Sequence, residues 1–266
     1  MVDNYYIHHL SNEYTLLQID VQNSLRNYNY LLHNNTQNMT IAIDPTNGAI
    51  TDIALKHHNW GLHEIWLTHH HNDHIGGVNQ LVQNYGCMVM GNAADAQRLP
   101  PLNCPINAEQ FSWCGLDVSV LQLDGHTIGH IGYHIPALNL LFAGDVIFSL
   151  GCGRVFEGTH SQAYQSLQKI AALPPETILC IAHEYTLDNA YFALHVEAEN
   201  ILLHNGGLRN VSLQQRVENV RELRAAKQPT VPSLLELELA TNPFLRVDNV
   251  EDFTILRQLK DSFQRS

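Results

Sequence analysis

The segment Thr68-His69-His70-His71-Asn72-Asp73-His74 places four imidazoles and a carboxylate within seven positions, the densest set of potential metal ligands in the chain. Read as H-x-H-x-D-H, it sets His69 and His71 two apart, so an extended backbone directs both to one side. Asp73 and His74 follow at once, and Gly76-Gly77 allows a sharp turn into the next element. Imidazole with carboxylate is the donor mix suited to zinc or iron. A His-rich tract can also be a solvated loop. This one, however, follows the apolar, strand-like run Ile65-Trp66-Leu67.

Three further candidates sit where predicted strands end, the usual place for chemistry in α/β folds. His126 lies in Asp124-Gly125-His126-Thr127, Asp145 closes Phe142-Ala143-Gly144-Asp145, and His183 closes Cys180-Ile181-Ala182-His183. Each alone reads as a cap or turn residue; together with the first cluster they form a set. His69, His71, Asp73, His74, His126, Asp145 and His183 make seven groups, whereas one zinc takes about four ligands, one of them water at a catalytic site. Seven groups suit two divalent ions about 3.5–4 Å apart. Asp145 is the natural bridge, since a carboxylate has two oxygens to share. His70, His130 and His134 are left to solvent, to supporting hydrogen bonds or to the core.

The elements that must position these groups follow from the apolar pattern. Strands are predicted at Thr15–Val21, Tyr28–His33, Thr40–Asp44, Glu64–Thr68, Val118–Leu123, Ile131–Ile135, Leu140–Ala143 and Thr177–Ile181. Helices are predicted at Ala49–His57, Gly77–Tyr85, Ala93–Arg98 and Ser161–Ala172. Beyond Asp188 the pattern becomes helical: Ala190–Leu203, Ser212–Lys227 and Leu234–Ala240. The expectation is an α/β domain over residues 1–185 and a small helical domain over 186–266.

Composition narrows the function classes. The 266 residues are 45% hydrophobic, enough for a packed core. A net charge of −12 argues against a nucleic-acid or anionic-membrane surface. The charge is uneven: residues 205–266 hold nine Lys/Arg against eight Asp/Glu, and the remainder five against eighteen. No apolar run approaches the roughly 18 residues of a membrane helix, and residues 1–10 show no secretory pattern. The five cysteines include no C-x-x-C pair and read as reduced thiols, so a cytoplasmic location is expected, with a monomeric state.

The motifs T-H-H-H-N-D-H-I-G-G, D-G-H-T-I-G-H, F-A-G-D, G-C-G-R-V-F-E-G-T and H-E-Y-T occur in the order seen in metallo-β-lactamase-fold hydrolases, and within them in glyoxalase II (hydroxyacylglutathione hydrolase). The chain resembles that family from about Thr15 to its C-terminus. The resemblance implies a metallo-β-lactamase-like αββα sandwich followed by a glutathione-binding helical domain. It implies His69, His71 and His126 on one ion, Asp73, His74 and His183 on the other, and Asp145 between them. The ions would be zinc, with iron or manganese as alternatives. The implied glutathione contacts are Arg154, Phe156, Tyr185, Arg257 and Lys260. Where the family often has Lys this chain has Arg154, keeping charge but not geometry. Where it often has Tyr this chain has Phe156, losing a hydroxyl.

The implied reaction is hydrolysis of S-D-lactoylglutathione to D-lactate and glutathione. Two divalent ions bring the pKa of a shared water from about 15.7 towards neutrality and stabilise the oxyanion of an attacked thioester carbonyl. Asp73 can orient the attacking oxygen. The leaving thiol has a pKa of about 8.5, so no strong general acid is needed. The competing reading is a glutathione persulfide dioxygenase with a mononuclear iron, which shares the fold; the basic helical tail favours the hydrolase.

Overall fold

The computed structural model describes residues 4–199, 201 and 210–263. They form two compact units: residues 1–122 with 129–144, and residues 123–128 with 145–266. The hairpin after Asp145 packs with the helical tail, tied to Glu238 and Asn242.

The first unit begins with β1 (Tyr5–His9), β2 (Tyr14–Asp20), β3 (Tyr28–Asn34) and β4 (Met39–Ile43), an antiparallel meander. Helix α1 (Gly48–His57) then leads to β5 (Glu64–Trp66). The short α2 (Asn72–Ile75) and α3 (Val78–Tyr85) lead to β6 (Met88–Asn92) and β7 (Cys104–Ile106). From β4 to β7 the pairing is parallel, with Ile43 opposite Trp66 and Trp66 opposite Met90. The carboxyl ends of these strands therefore lie side by side, and the segments leaving them can share a site.

A second set of strands, β8 (Gln110–Trp113), β9 (Leu116–Gln122), β10 (Ile131–Ile135) and β11 (Leu140–Phe142), pairs antiparallel. Aromatic side chains lock it to the first sheet. Trp66, fully buried, lies 5.0 Å from Phe111, 5.1 Å from Tyr133 and 6.0 Å from Trp113, ring centre to ring centre. On its outer face the first sheet is covered by α1 and α3 through Leu17, Leu31, Ala54, Leu55, Ile65 and Leu81.

The second unit holds the hairpin β12 (Ile147–Phe148) and β13 (Gly151–Cys152), then α4 (His160–Ala171) and β14 (Ile178–Cys180). It continues with α5 (Thr186–Ala198), α6 (Val211–Ala225), β15 (Ser233–Leu234), α7 (Leu235–Thr241) and α8 (Val250–Ser262). Helix α4 starts at a capping box, Thr159 with Gln162. A small core of Leu150, Ala190, Ala193, Leu213 and Val217 joins α5 to α6. Among the described residues no helix is long and apolar enough to cross a membrane.

Most predicted strands coincide with observed ones within two residues, but several elements were not anticipated. Strands β1, β6, β7 and β8 lay outside the prediction, as did α8, whose Asn249 cap accepts the Asp252 amide. The predicted helix Ala93–Arg98 is a single 3-10 turn, Ala93–Asp95. Of the predicted helix Ala190–Leu203, the observed α5 ends at Ala198, and residues 200, 202 and 203 lie outside the described residues.

Candidate metal centre

In the first unit, the His-rich segment leaves β5 and is held by a residue on the neighbouring strand end. Asp44, 5% exposed, follows β4 directly. Its Oδ1 accepts the Thr68 amide at 2.8 Å; its Oδ2 accepts the Thr68 hydroxyl at 2.6 Å and lies 3.0 Å from His74 Nδ1. Thr68 Oγ1 in turn lies 3.0 Å from His69 Nδ1. With Nδ1 engaged in both rings, Nε2 is the nitrogen each can offer a metal, the arrangement common for ligating histidines. One donor atom each from Asp44, His69 and His74 fall within 4.8 Å of one another.

Helix α2 positions the rest of the segment. His71 is its extended N-cap, so Asp73 and His74 sit in the first turn. The His69 ring centre is 4.7 Å from that of His71 and 4.2 Å from that of His74. Asp73 Oδ2 accepts the Asn27 amide at 3.0 Å, and its main-chain carbonyl accepts the Thr46 hydroxyl at 2.6 Å. Gly76 and Gly77 serve a different purpose from the sharp turn expected. Both have right-handed backbone angles, φ −59° and −87°. A Cβ on Gly77 would stand 2.6 Å from the Pro45 carbonyl oxygen, so glycine here permits close contact with the loop after Asp44.

The second unit carries His126, Asp145 and His183. Gly125, at φ +142° and against Ala163, brings the chain from β9 round to His126. The Arg154 carbonyl fixes the His126 ring through Nδ1 at 2.8 Å. Asp145, 7% exposed, spans two imidazoles: its Oδ2 is 3.5 Å from His126 Nε2 and its Oδ1 3.2 Å from His183 Nε2. His183 stacks on Tyr185 at 4.8 Å and 7°, and both rings meet Phe148 edge-on.

The predicted glutathione contacts separate by environment. Arg154 has a side chain 60% exposed, 3.4 Å from the Asp261 carboxylate. Phe156 is 61% exposed with its ring 5.3 Å from that of His126, so it is not a core residue packed beneath the loop. Lys260 Nζ lies over the Phe192 ring at 5.1 Å, and burial chiefly, with Arg257 beside it, lowers its pKa from 10.5 to about 8. Arg257, an implied glutathione contact, is turned into the interior. It is 3% exposed and donates to the Cys152 carbonyl at 2.9 Å and to Asp261 at 3.0 Å. The reason is packing: α8 presents it inward, over the Phe244 ring at 5.2 Å.

Of the histidines left unassigned, His70 Nδ1 meets Asp95 at 2.9 Å, and the buried His130 stacks on His69 at 4.7 Å. Burial holds His134 below the usual histidine range. The residue the sequence reading missed is Asp44. Its signal was present, since it ends the apolar run Thr40-Ile41-Ala42-Ile43 as Asp145 ends Leu140-Leu141-Phe142-Ala143-Gly144. Its partners lie 24 and 30 residues away. The donors in both units are imidazole nitrogens and carboxylate oxygens, most of them buried and several braced by hydrogen bonds, and they fit transition-metal ions such as zinc or iron.

Comparison with known proteins agrees with this chemistry. Residues 29–183 match the metallo-beta-lactamase superfamily, and residues 184–263 match the hydroxyacylglutathione hydrolase C-terminus. The chain is 44% identical over 252 residues to a hydroxyacylglutathione hydrolase of Jannaschia sp. (strain CCS1), covering 89% of this chain and 94% of that one. It is 43% identical over 221 residues to that of Ruegeria pomeroyi, covering 83% of each. Among solved structures, ETHE1 from Myxococcus xanthus superposes with a TM-score of 0.65 at 21% identity, over 92% of this chain and 89% of that one. That is a likeness of fold. The di-iron-bound form of TTHA1623 superposes with a TM-score of 0.53 at 27% identity, over 60% of this chain and 89% of that one.

Proposed function

The chain belongs to the hydroxyacylglutathione hydrolase family of metallo-β-lactamase-fold thioester hydrolases, and from that premise we propose that it hydrolyses S-D-lactoylglutathione to D-lactate and glutathione with two divalent ions. Zinc is the first choice for both, with iron or manganese as alternatives. The observation that carries the reading is Asp145, whose two carboxylate oxygens address two different imidazoles, His126 and His183. In our assignment His69, His71 and His126 hold one ion, Asp73, His74 and His183 the other, and Asp145 joins them. When bound, two such ions would lower the pKa of a water and polarise the thioester carbonyl.

The chain's own groups supply the rest. Asp44 and the Arg154 carbonyl hold His74 and His126 in fixed orientation, so no reorganisation is needed as charge develops. Asp73, steadied by Asn27, is the carboxylate that can accept a hydrogen bond from the attacking oxygen. The exposed Arg154 and the partly buried Lys260 offer cations to the glutathione carboxylates, and Phe156 and Tyr185 offer ring surface. Arg257 shapes the loop between them. A thiolate leaves without needing a strong acid. We place the enzyme in the cytoplasm as a monomer; the buried, unbridged Cys87, Cys152 and Cys180 suit a reducing compartment.

The test is thioester hydrolysis followed by ultraviolet loss, with elemental analysis of wild type and Asp145→Ala. Wild type should contain close to two ions per chain, and the variant should lose turnover and metal together. Full activity with one ion per chain would defeat the dinuclear reading. An Asp145→Ala protein with two ions and normal kcat would remove Asp145 as the bridge.

A further inference from the structure

A buried ion pair in the helical tail bears on the metal centre through one hairpin. Arg216 on α6 is 7% exposed and Glu238 on α7 is fully buried, and they form a close salt bridge. Glu238 Oε2 accepts the Leu150 amide at 2.9 Å, and Arg216 donates to the Ser149 hydroxyl at 2.8 Å. Ser149 and Leu150 are the two-residue tip of the β12–β13 hairpin, which begins two residues after Asp145.

The tip is held in a conformation it does not favour. Leu150 is buried at φ +58°, a left-handed backbone that a non-glycine residue adopts only when its surroundings over-determine it. Glu238 also accepts from Asn242 at 3.1 Å, and Asn242 donates to the carbonyls of Phe148 and Gly151 at 3.1 and 3.0 Å. The hairpin is thus tied through its backbone to the pair. On its strand β12, Phe148 places its ring edge-on to His183 at 5.6 Å and to Tyr185 at 5.4 Å. Close-packed interiors transmit such shifts rather than absorb them.

We propose that Arg216 and Glu238 are positioning residues for the reaction: they set the hairpin, and through Phe148 they fix the orientation of His183 and Tyr185. A buried pair of this kind is often replaceable by apolar side chains at little cost in stability. Its distinctive contribution here is the fixed charge and the fork of donors that pin Ser149 and Leu150. The inference rests on the assignment of His183 as a metal ligand.

The experiment compares Glu238→Gln, Phe148→Leu, Val89→Ala and His183→Ala with wild type, each purified with its metal. Ions retained per chain during graded chelator exposure are measured, together with thermal midpoint. Loss of a group that orients a ligand weakens metal affinity roughly ten- to hundred-fold. Glu238→Gln and Phe148→Leu should both show that rise in chelator sensitivity. Val89→Ala, a core truncation on β6 away from the hairpin, should lower the midpoint and keep wild-type retention. Wild-type retention in Glu238→Gln, or equal metal loss in Val89→Ala, would overturn the inference. Should Glu238→Gln fail to fold, Phe148→Leu decides, because it leaves the ion pair intact; normal retention there overturns the proposal. His183→Ala separates the two readings. If it keeps the wild-type ion content, the assignment of His183 falls; if it loses metal while Glu238→Gln does not, only the positioning role falls.

Discussion

Arg257 and Cys152 are joined by a hydrogen bond from the guanidinium to the main-chain carbonyl at 2.9 Å, across 105 residues of sequence. The same guanidinium reaches the Cys152 sulfur at 3.5 Å and the Gly153 carbonyl at 3.4 Å. It therefore ties α8 to the loop that carries Arg154 and Phe156. A cation that the family resemblance makes a glutathione contact also bonds, in the folded protein, to the backbone and to Asp261.

Arg257 and Lys260 should consequently separate under mutation. Arg257→Ala leaves a buried carbonyl without its donor and should lower stability by about 1–3 kcal/mol. Because the loop moves as well, KM and kcat should both suffer. Lys260→Ala should raise KM with smaller effects on stability and kcat, the pattern of uniform binding. Denaturant unfolding and steady-state kinetics on the two single variants check this; equal stability and equal KM changes in both would refute the division.

Asp44→Asn tests the residue that braces the His-rich segment. The amide keeps the size of the side chain but can no longer accept both Thr68 hydrogen bonds and the His74 contact as an anion. Metal affinity or activity should fall roughly ten- to hundred-fold. Equilibrium metal competition on the purified variant measures it, and unchanged affinity would make Asp44 a fold residue alone.

Lys260 predicts a pH dependence. Its charged form is disfavoured in the fold, so its pKa is about 8 instead of 10.5. Between those values the unfolded chain binds more protons than the folded one, so this group's contribution to stability rises with pH across that window. The burial penalty is fully present below it. Binding runs the other way: as pH passes through about 8 the ammonium is lost, and KM for the anionic thioester should climb. KM against pH from 6.5 to 9.5 for wild type and Lys260→Ala, as roughly spaced points around that pKa, should differ by this one titration. Parallel profiles would assign the change to another group.

Phe156→Tyr probes the exposed ring beside His126. With Phe156 61% exposed, an added hydroxyl should stay in water and leave the thermal midpoint unchanged. If the ring lies along the bound glutathione, one new hydrogen bond should lower KM by the equivalent of about 0.5–1.5 kcal/mol. No change in KM would detach Phe156 from the substrate site.

Much of the candidate site was legible because its signals are local. The H-x-H-x-D-H spacing, and the positions of His126, Asp145 and His183 at the ends of predicted strands, can each be read from a few neighbouring residues. Donor type follows from residue type alone. The α/β pattern was legible for the same reason, since apolar alternation in β2, β3 and β10 is a short-range property. Strands β7 and β8 carried no such pattern: burial falls on Ile106 in one and Trp113 in the other, so pairing alone makes them strands.

What the sequence by itself determined was the chemistry on offer: imidazoles, carboxylates and a few cations in a set order. Tertiary structure alone decided how each is used. Asp44 became the brace of His74 across 30 residues, and Arg216 became the buried partner of Glu238 across 22. Arg257 turned inward while Arg154, in the loop it supports, stayed in water. The physical reason is that charge is a property of a residue, whereas burial and partnership belong to the pairs of elements that packing brings together. An ionised group excluded from water must find its counter-charge or hydrogen bonds among neighbours that no local pattern names.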